Sequence, residues 1–151
     1  MNNVMFDLET YGKRPGCVIR SIGAVVFDPY SMRIGEKFYM NVDRKSCEDV
    51  GLIVDPSTEA WWNTPKNRLA QESLQKDQRP VVDVAMAFQD WFRNNKGMFL
   101  WSQGSNFDEP IWNAVLDALG IKQCWEYHAS RDTRTAYGIA GLDVFKIRRV
   151  G

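Results

Sequence analysis

An α/β domain with a mixed sheet is the fold class that the sequence predicts, and two observations carry it. Roughly the first 40 residues read as three strands joined by short turns, the pattern of an antiparallel meander. Beyond them helical segments take over, with one short apolar strand set between two of them. Strands first, then strand and helix in alternation, is the order of an α/β sheet flanked by helices, antiparallel at its start and parallel where the later strand joins.

The elements follow in order. Val4–Glu9 is short and apolar, with its acids at alternate positions. Cys17–Asp28 is longer and rich in β-branched residues, including Val18, Ile19, Ile22, Val25 and Val26. Gly35–Val42 alternates, with Phe38, Met40 and Val42 on one face. Asp55-Pro56 opens a helix, Asp as N-cap and Pro in the first turn, that runs through Trp61 and Trp62. Pro65 ends it, and Lys66–Gln75 makes another short helix. Pro80 opens a stronger one, whose stripe is Val81, Val84, Phe88, Trp91 and Phe92 and whose stop is Gly97. Met98–Trp101 is the later strand. A helix over Phe107–Leu119 follows, with Asn106 as N-cap, Glu109 completing a capping box, Pro110 tolerated in the first turn and Gly120 as the stop. A last helix spans Asp132–Ile139.

A chain of 151 residues with 44% hydrophobic content suggests one domain, 1–151, able to bury its own core. Lys and Arg total 19 and so do Asp and Glu. That balance neither advertises nor excludes a nucleic-acid binder, because a local basic patch suffices. No apolar run is long enough to span a membrane, and no secretory leader is visible. Cys17, Cys47 and Cys124 are scattered and odd in number, which is neither a disulfide framework nor a zinc spacing. These features point to a reducing cytoplasm. With His128 as its one histidine, the chain cannot build a zinc site from several His ligands.

Asp7 and Glu9 are two apart on a strand, so their side chains leave the same face, with Cα atoms roughly 6.5 Å apart. Two close carboxylates beside a core repel and take up protons unless a cation sits between them. Mg²⁺ and Mn²⁺ prefer carboxylate oxygen. For a bare Asp-x-Glu the commoner reading is a strand edge where both acids meet water. Asp108 follows a short apolar strand and opens a helix, a common ligand position in α/β sheets. Taken alone, it reads more often as an ordinary first-turn acid.

Specificity rises with the combination. Phe6-Asp7-Leu8-Glu9-Thr10, then Ser21-Ile22-Gly23-Ala24-Val25-Val26-Phe27-Asp28, then Asn106-Phe107-Asp108 resembles the DEDD 3′–5′ exonuclease superfamily. Glu59-Ala60-Trp61-Trp62, Arg68-Leu69-Ala70 and Arg131-Asp132-Thr133-Arg134-Thr135 extend the likeness over nearly the whole chain. It is strongest to the phage and prophage branch, similar to exodeoxyribonuclease VIII and to mycobacterial exoribonuclease-like domains. The resemblance implies a ribonuclease-H-like fold and two-metal phosphodiester hydrolysis with Mg²⁺ or Mn²⁺. It implies Asp7, Glu9 and Asp108 as catalytic and metal-binding residues, Asp7 bridging. It implies Thr10, Asn106 and Phe107 as nucleotide-binding residues. Single-stranded nucleic acid or a free 3′ end is the partner it implies, with aromatic stacking platforms suited to it. Core packing is the competing reading for Phe107, Trp61 and Trp62, and holds for at least one tryptophan. Family members are often homodimers, and the same is expected here.

The chain departs from the histidine branch of that family, which ends in His-x-Ala-x-x-Asp. His128 and Asp132 are four apart rather than five, and Ala129 follows the histidine directly. The tyrosine-branch spacing fails as well, because Arg131 stands four after Tyr127. The motif is therefore expected beyond Gly151, with weakened metal binding and turnover in its absence. Three readings stand: a shortened prophage remnant, a piece of a longer protein, or substitution by His128 and Asp132. A non-catalytic nucleic-acid or protein binding module on the same fold is the competing function. An endonuclease of the ribonuclease-H-like superfamily is a third. Nothing in the sequence selects DNA or RNA.

Overall fold

The computed structural model describes residues 1–31, 33–104 and 106–140. The basic run Lys146-Ile147-Arg148-Arg149 and Ser105 of the segment before Asp108 lie outside them.

Three strands form the antiparallel meander: β1 (Asn3–Thr10), β2 (Ile19–Phe27) and β3 (Ile34–Val42). Asn3 pairs with Phe27 and Glu9 with Ser21. On its other side β1 takes β5 (Phe99–Ser102) in parallel, from Asn3 opposite Phe99 to Met5 opposite Trp101. With β4 (Gln78–Arg79) and β6 (Ser130–Asp132) at its edges, the sheet order is β4-β3-β2-β1-β5-β6. The acid-bearing strand is therefore central, antiparallel to one neighbour and parallel to the other.

Period-two alternation divides β1 between two environments. Val4, Phe6 and Leu8 are buried against α4 (Val81–Asn94) and α5 (Asp108–Leu119). Phe88 of α4 centres that core, with ring centroids 6.4 Å from Phe6, 5.6 Å from Phe38 and 5.5 Å from Trp112. Each such ring contributes roughly 1.5–3 kcal/mol through burial. Asp7 and Glu9 leave the opposite face, over which α2 (Pro56–Trp62) and α3 (Arg68–Leu74) lie. The acids share a face as the strand spacing requires, but they do not sit against the main core. Asp7 is exposed and Glu9 half-buried.

Several boundaries differ from the expected ones. Helix α1 (Arg44–Asp49) and strand β4 (Gln78–Arg79) carry no clear apolar period. A capping bond from Ser46 N to Asp43 Oδ2, 3.1 Å, starts the helix, and two rungs against Asn41 and Val42 define the strand. Lys66–Gln75 resolves into a 3₁₀ turn, Pro65–Asn67, followed by α3. The expected helix over Asp132–Ile139 begins one residue later, as α6 (Thr133–Ile139), because Ser130–Asp132 forms β6, parallel to β5. The expected capping box at Asn106 is absent. Phe107 occupies the cap position of α5 without a side-chain cap bond, and the helix starts at Asp108. Glu109 turns elsewhere: its Oε1 accepts from Ser130 Oγ at 2.6 Å and Trp125 Nε1 at 3.3 Å. Two partners from β6 and the preceding loop outcompete a local cap. No helix among the described residues is long and apolar enough to cross a membrane.

Candidate active site

The site grows from a mismatch in strand length. β1 continues to Thr10, but its last rung with β5 is Met5 opposite Trp101. Past that rung the β1 edge has lost its partner strand, and Leu8 needs an acceptor for its amide. Asp108 supplies it: the Leu8 N–H donates to Asp108 Oδ1 at 3.3 Å. The first residue of α5 thus takes the place of a missing strand carbonyl, and Asp108 is only 3% exposed.

That placement puts three acids in one electrostatic field. Burial pushes the Asp108 carboxyl up to about 7, helped by the charges of Asp7 and Glu9. The Leu8 amide and Arg134 oppose the rise. Glu9 is also raised, first by burial and then by Asp7, while Arg20 opposes the change. The three acids are therefore held close enough to repel one another. Among the described residues, no group of three or more His, Cys, Asp or Glu side chains is drawn together tightly enough to hold a metal ion. The donor chemistry nonetheless fits hard cations: three carboxylates, with neither sulfur nor imidazole among them. Their mutual repulsion is what a divalent cation removes.

His128 does not join them. It is exposed and precedes β6, whereas Asp132 ends that strand. Since β6 and β5 run parallel to β1, His128 lies toward the amino end of the sheet and the acids toward the carboxyl end. Asp132 anchors the loop that leads to Asp108, its Oδ1 accepting from Gly104 N at 3.1 Å and Arg134 N at 2.8 Å.

Beside Glu9 opens a cavity of about 490 Å³, lined by Leu8, Glu9, Thr10, Lys13, Ser57, Thr58, Trp61, Trp62 and Phe107. A second hollow of about 560 Å³ shares Glu9, Trp61 and Trp62 and adds Asp7 and Tyr39. Together they form a groove that passes the acid pair. Of the expected nucleotide-binding residues, Thr10 and Phe107 line the cavity and Asn106 does not. Thr10 Oγ1 donates to Gly12 O at 2.7 Å. Phe107 is 38% exposed and Trp61 47% exposed, so the cavity carries two accessible aromatic rings. Trp62 is the structural one of its pair, buried, with Nε1 donating to Thr10 O at 2.7 Å.

Arg20 was not singled out by the sequence, and its position explains why. The register slips between Glu9, opposite Ser21, and Thr10, opposite Ile19, which leaves Arg20 as the extra residue of a bulge. Bulges re-aim side chains beside functional sites. Here the guanidinium lies 4.4 Å from the Tyr11 ring centroid and 4.8 Å from that of Trp62, and it donates to Gln71 Oε1. Arg20 thereby joins β2, the end of β1, α2 and α3 behind the cavity. Lys13, Ser57 and Thr58 were also missed. The one signal for the last two is that they precede Trp61 and Trp62 by about one helical turn.

The mixed six-stranded sheet flanked by helices matches a ribonuclease-H-like exonuclease fold. Solved structures agree at the level of fold. E. coli Exonuclease I in complex with a dT13 oligonucleotide superposes with a TM-score of 0.65 at 14% identity, over 89% of this chain and 29% of that one. Apo Exonuclease I gives 0.66 at 14% identity, over 97% and 32%. The zinc ion bound form of the E. coli ExoI–ssDNA complex gives 0.65 at 14% identity, over 89% and 29%. The chain spans about a third of the length of these structures. No curated protein sequence matches it. Residues 2–148 match the model of the 3′-5′ exoribonuclease Rv2179c-like domain, and the chain belongs to that family.

Proposed function

We propose that this domain removes nucleotides from the 3′ end of single-stranded nucleic acid by metal-dependent phosphodiester hydrolysis. The observation that carries the reading is the mutual electrostatic coupling of Asp7, Glu9 and Asp108 beside a cavity with accessible aromatic rings. Asp7, Glu9 and Asp108 would hold Mg²⁺ or Mn²⁺, which when bound activates water and offsets phosphate charge. The chain's own residues do the rest. Phe107 and Trp61 offer ring faces to the terminal base, the Leu8–Thr10 backbone floors the pocket, and Lys13 adds a positive charge at its rim. Asn106 acts from outside the cavity by setting the turn that presents Phe107. In this reading the protein works in the cytoplasm as a homodimer and is kin to the exodeoxyribonuclease VIII-like phage branch.

A 5′-labelled single-stranded oligonucleotide tests it. Mn²⁺-dependent shortening from the 3′ end, with release of mononucleotides and loss of the activity in Asp7→Asn, is the expected result. One observation favours a second reading, a non-catalytic nucleic-acid binding module: no closed metal-ligand group exists among the described residues. Oligonucleotide binding without any metal-dependent shortening would select it.

A further inference from the structure

The groove has two hollows, and Glu9, Trp61 and Trp62 line both of them. Asp7, Gly23 and Tyr39 belong to the second, of about 560 Å³. Tyr39 is the aromatic ring that this hollow does not share with the first. Strand register explains its place. Asp7 pairs with Gly23 on β2, and Gly23 with Tyr39 on β3, so the three stand in one row across one face of the sheet. At the usual strand spacing the Tyr39 Cα lies roughly 10 Å from that of Asp7. The glycine between them leaves the row open, and the Tyr39 ring leans into the gap: its Cδ2 is 3.5 Å from where a Cβ on Gly23 would stand.

The ring is exposed and yet held in place. Tyr39 is 58% exposed, and its Oη donates to Asn41 Oδ1 at 2.7 Å. Asn41 is buried, and its Nδ2 donates to Ser73 O at 2.9 Å and to Lys76 O at 2.8 Å, at the carboxyl end of α3. An exposed ring is thereby tied through a buried amide to the backbone of a neighbouring element. Such fixation costs a surface side chain its rotamer freedom. A binding surface gains from it, because the ring is ordered before a ligand arrives.

Hydrolysis of a phosphodiester sets the phosphate at the acids with a nucleotide on each side of it. The cavity with Thr10 and Phe107 takes the terminal one. The other lies across the acids, where the hollow with Asp7 and Tyr39 opens. We infer that Tyr39 is a second base platform, whose ring stacks on the base of the penultimate nucleotide, so that the site grips two unpaired nucleotides across the acids. This rests on the function proposed above and extends it by one subsite.

Uncharged ligands isolate the contact, because the acids do not repel them and no metal is needed. 2′-Deoxyadenosine and the dinucleoside made from two of them through a methylphosphonate linkage are titrated into the full chain, with tryptophan fluorescence as the readout. Wild type binds the dinucleoside about tenfold more tightly than the nucleoside, the equivalent of one stacked base. Tyr39→Leu removes that advantage and leaves nucleoside binding unchanged, while Tyr39→Phe, which keeps the ring, retains a severalfold advantage. A thermal melt of each variant establishes that the fold persists. No advantage of the dinucleoside in wild type, an advantage that survives Tyr39→Leu, its complete loss in Tyr39→Phe, or equal weakening of both ligands overturns the inference while the reading of the first cavity stands. Failure of wild type to bind the nucleoside overturns that reading and the inference with it.

Discussion

The two faces of β1 are made by the same eight residues and do opposite things. Val4, Phe6 and Leu8 are sealed under α4 and α5, where their environment rewards close packing. Asp7 and Glu9, interleaved between them, open on a groove, where like charges are held near one another at a cost. A strand's two-residue period is enough to place stabilising and destabilising side chains within a few ångströms without mixing their effects. Stability should therefore follow one face and chemistry the other.

The largest expected departure is chemical. Asp7→Asn should lower Mn²⁺-dependent turnover by more than the roughly 100-fold that loss of an outer-shell partner costs a metal site. Its urea unfolding midpoint should not fall. A parallel drop in activity and midpoint would mean that the two faces are not separable.

Phe6→Ala probes the other face. Loss of a buried ring packed on Phe88 should destabilise the fold by about 3–5 kcal/mol in urea unfolding. Well below the unfolding midpoint, the activity per folded molecule should be retained.

Asp108→Asn sharpens the contrast, since Asp108 serves both faces. Its carboxyl moves from an ordinary 3.8 to about 7 in the folded protein. The folded state therefore holds the proton more tightly than the unfolded chain does. Stability is fully present below about pH 4 and declines as the pH rises through 7. Asparagine keeps an acceptor for the Leu8 amide and removes the charge. In EDTA at pH 8 the variant should be more stable than wild type by up to about 4 kcal/mol. The two should converge near pH 4, and saturating Mn²⁺ should reverse the order at pH 8. Thermal melts across that pH range check all three statements. A variant less stable than wild type in EDTA at pH 8 would show that the acids are not in conflict.

Trp62→Phe should have the smallest effect. It deletes the bond to Thr10 O while keeping most of the ring, for a loss of about 1 kcal/mol in urea unfolding.

The same contrast explains what the sequence could reveal. The meander, α4, β5 and α5 were legible because each has a clear apolar period and a recognisable start or stop. Ser130–Asp132 was not, because a three-residue strand without apolar residues is defined by its neighbour and not by itself. α1 has six residues and one buried side chain, too few for a period. In the candidate site, Asp7 and Glu9 were legible as a pair, and their shared face follows from strand geometry alone. Asp108 was legible as a first-turn acid, but its partner was not. The need it meets arises where β5 stops short of Thr10, a fact of sheet register. Asn106 looked like a cap because local spacing favoured it. Arg20 and Lys13 take their meaning from a bulge and a cavity rim, neither of which is written locally.

The Leu8–Asp108 bond has one more consequence, in time. It closes across 100 positions of the chain. A ribosome adds roughly 5–20 residues per second, so the acid strand exists for on the order of 5–20 s before residue 108 is made. During that interval Asp7 and Glu9 are already present, but the third carboxylate and the turn bearing Phe107 are not. On the function proposed here, the nascent acid strand cannot yet degrade the message being read, because the third carboxylate of the site is made 100 residues later.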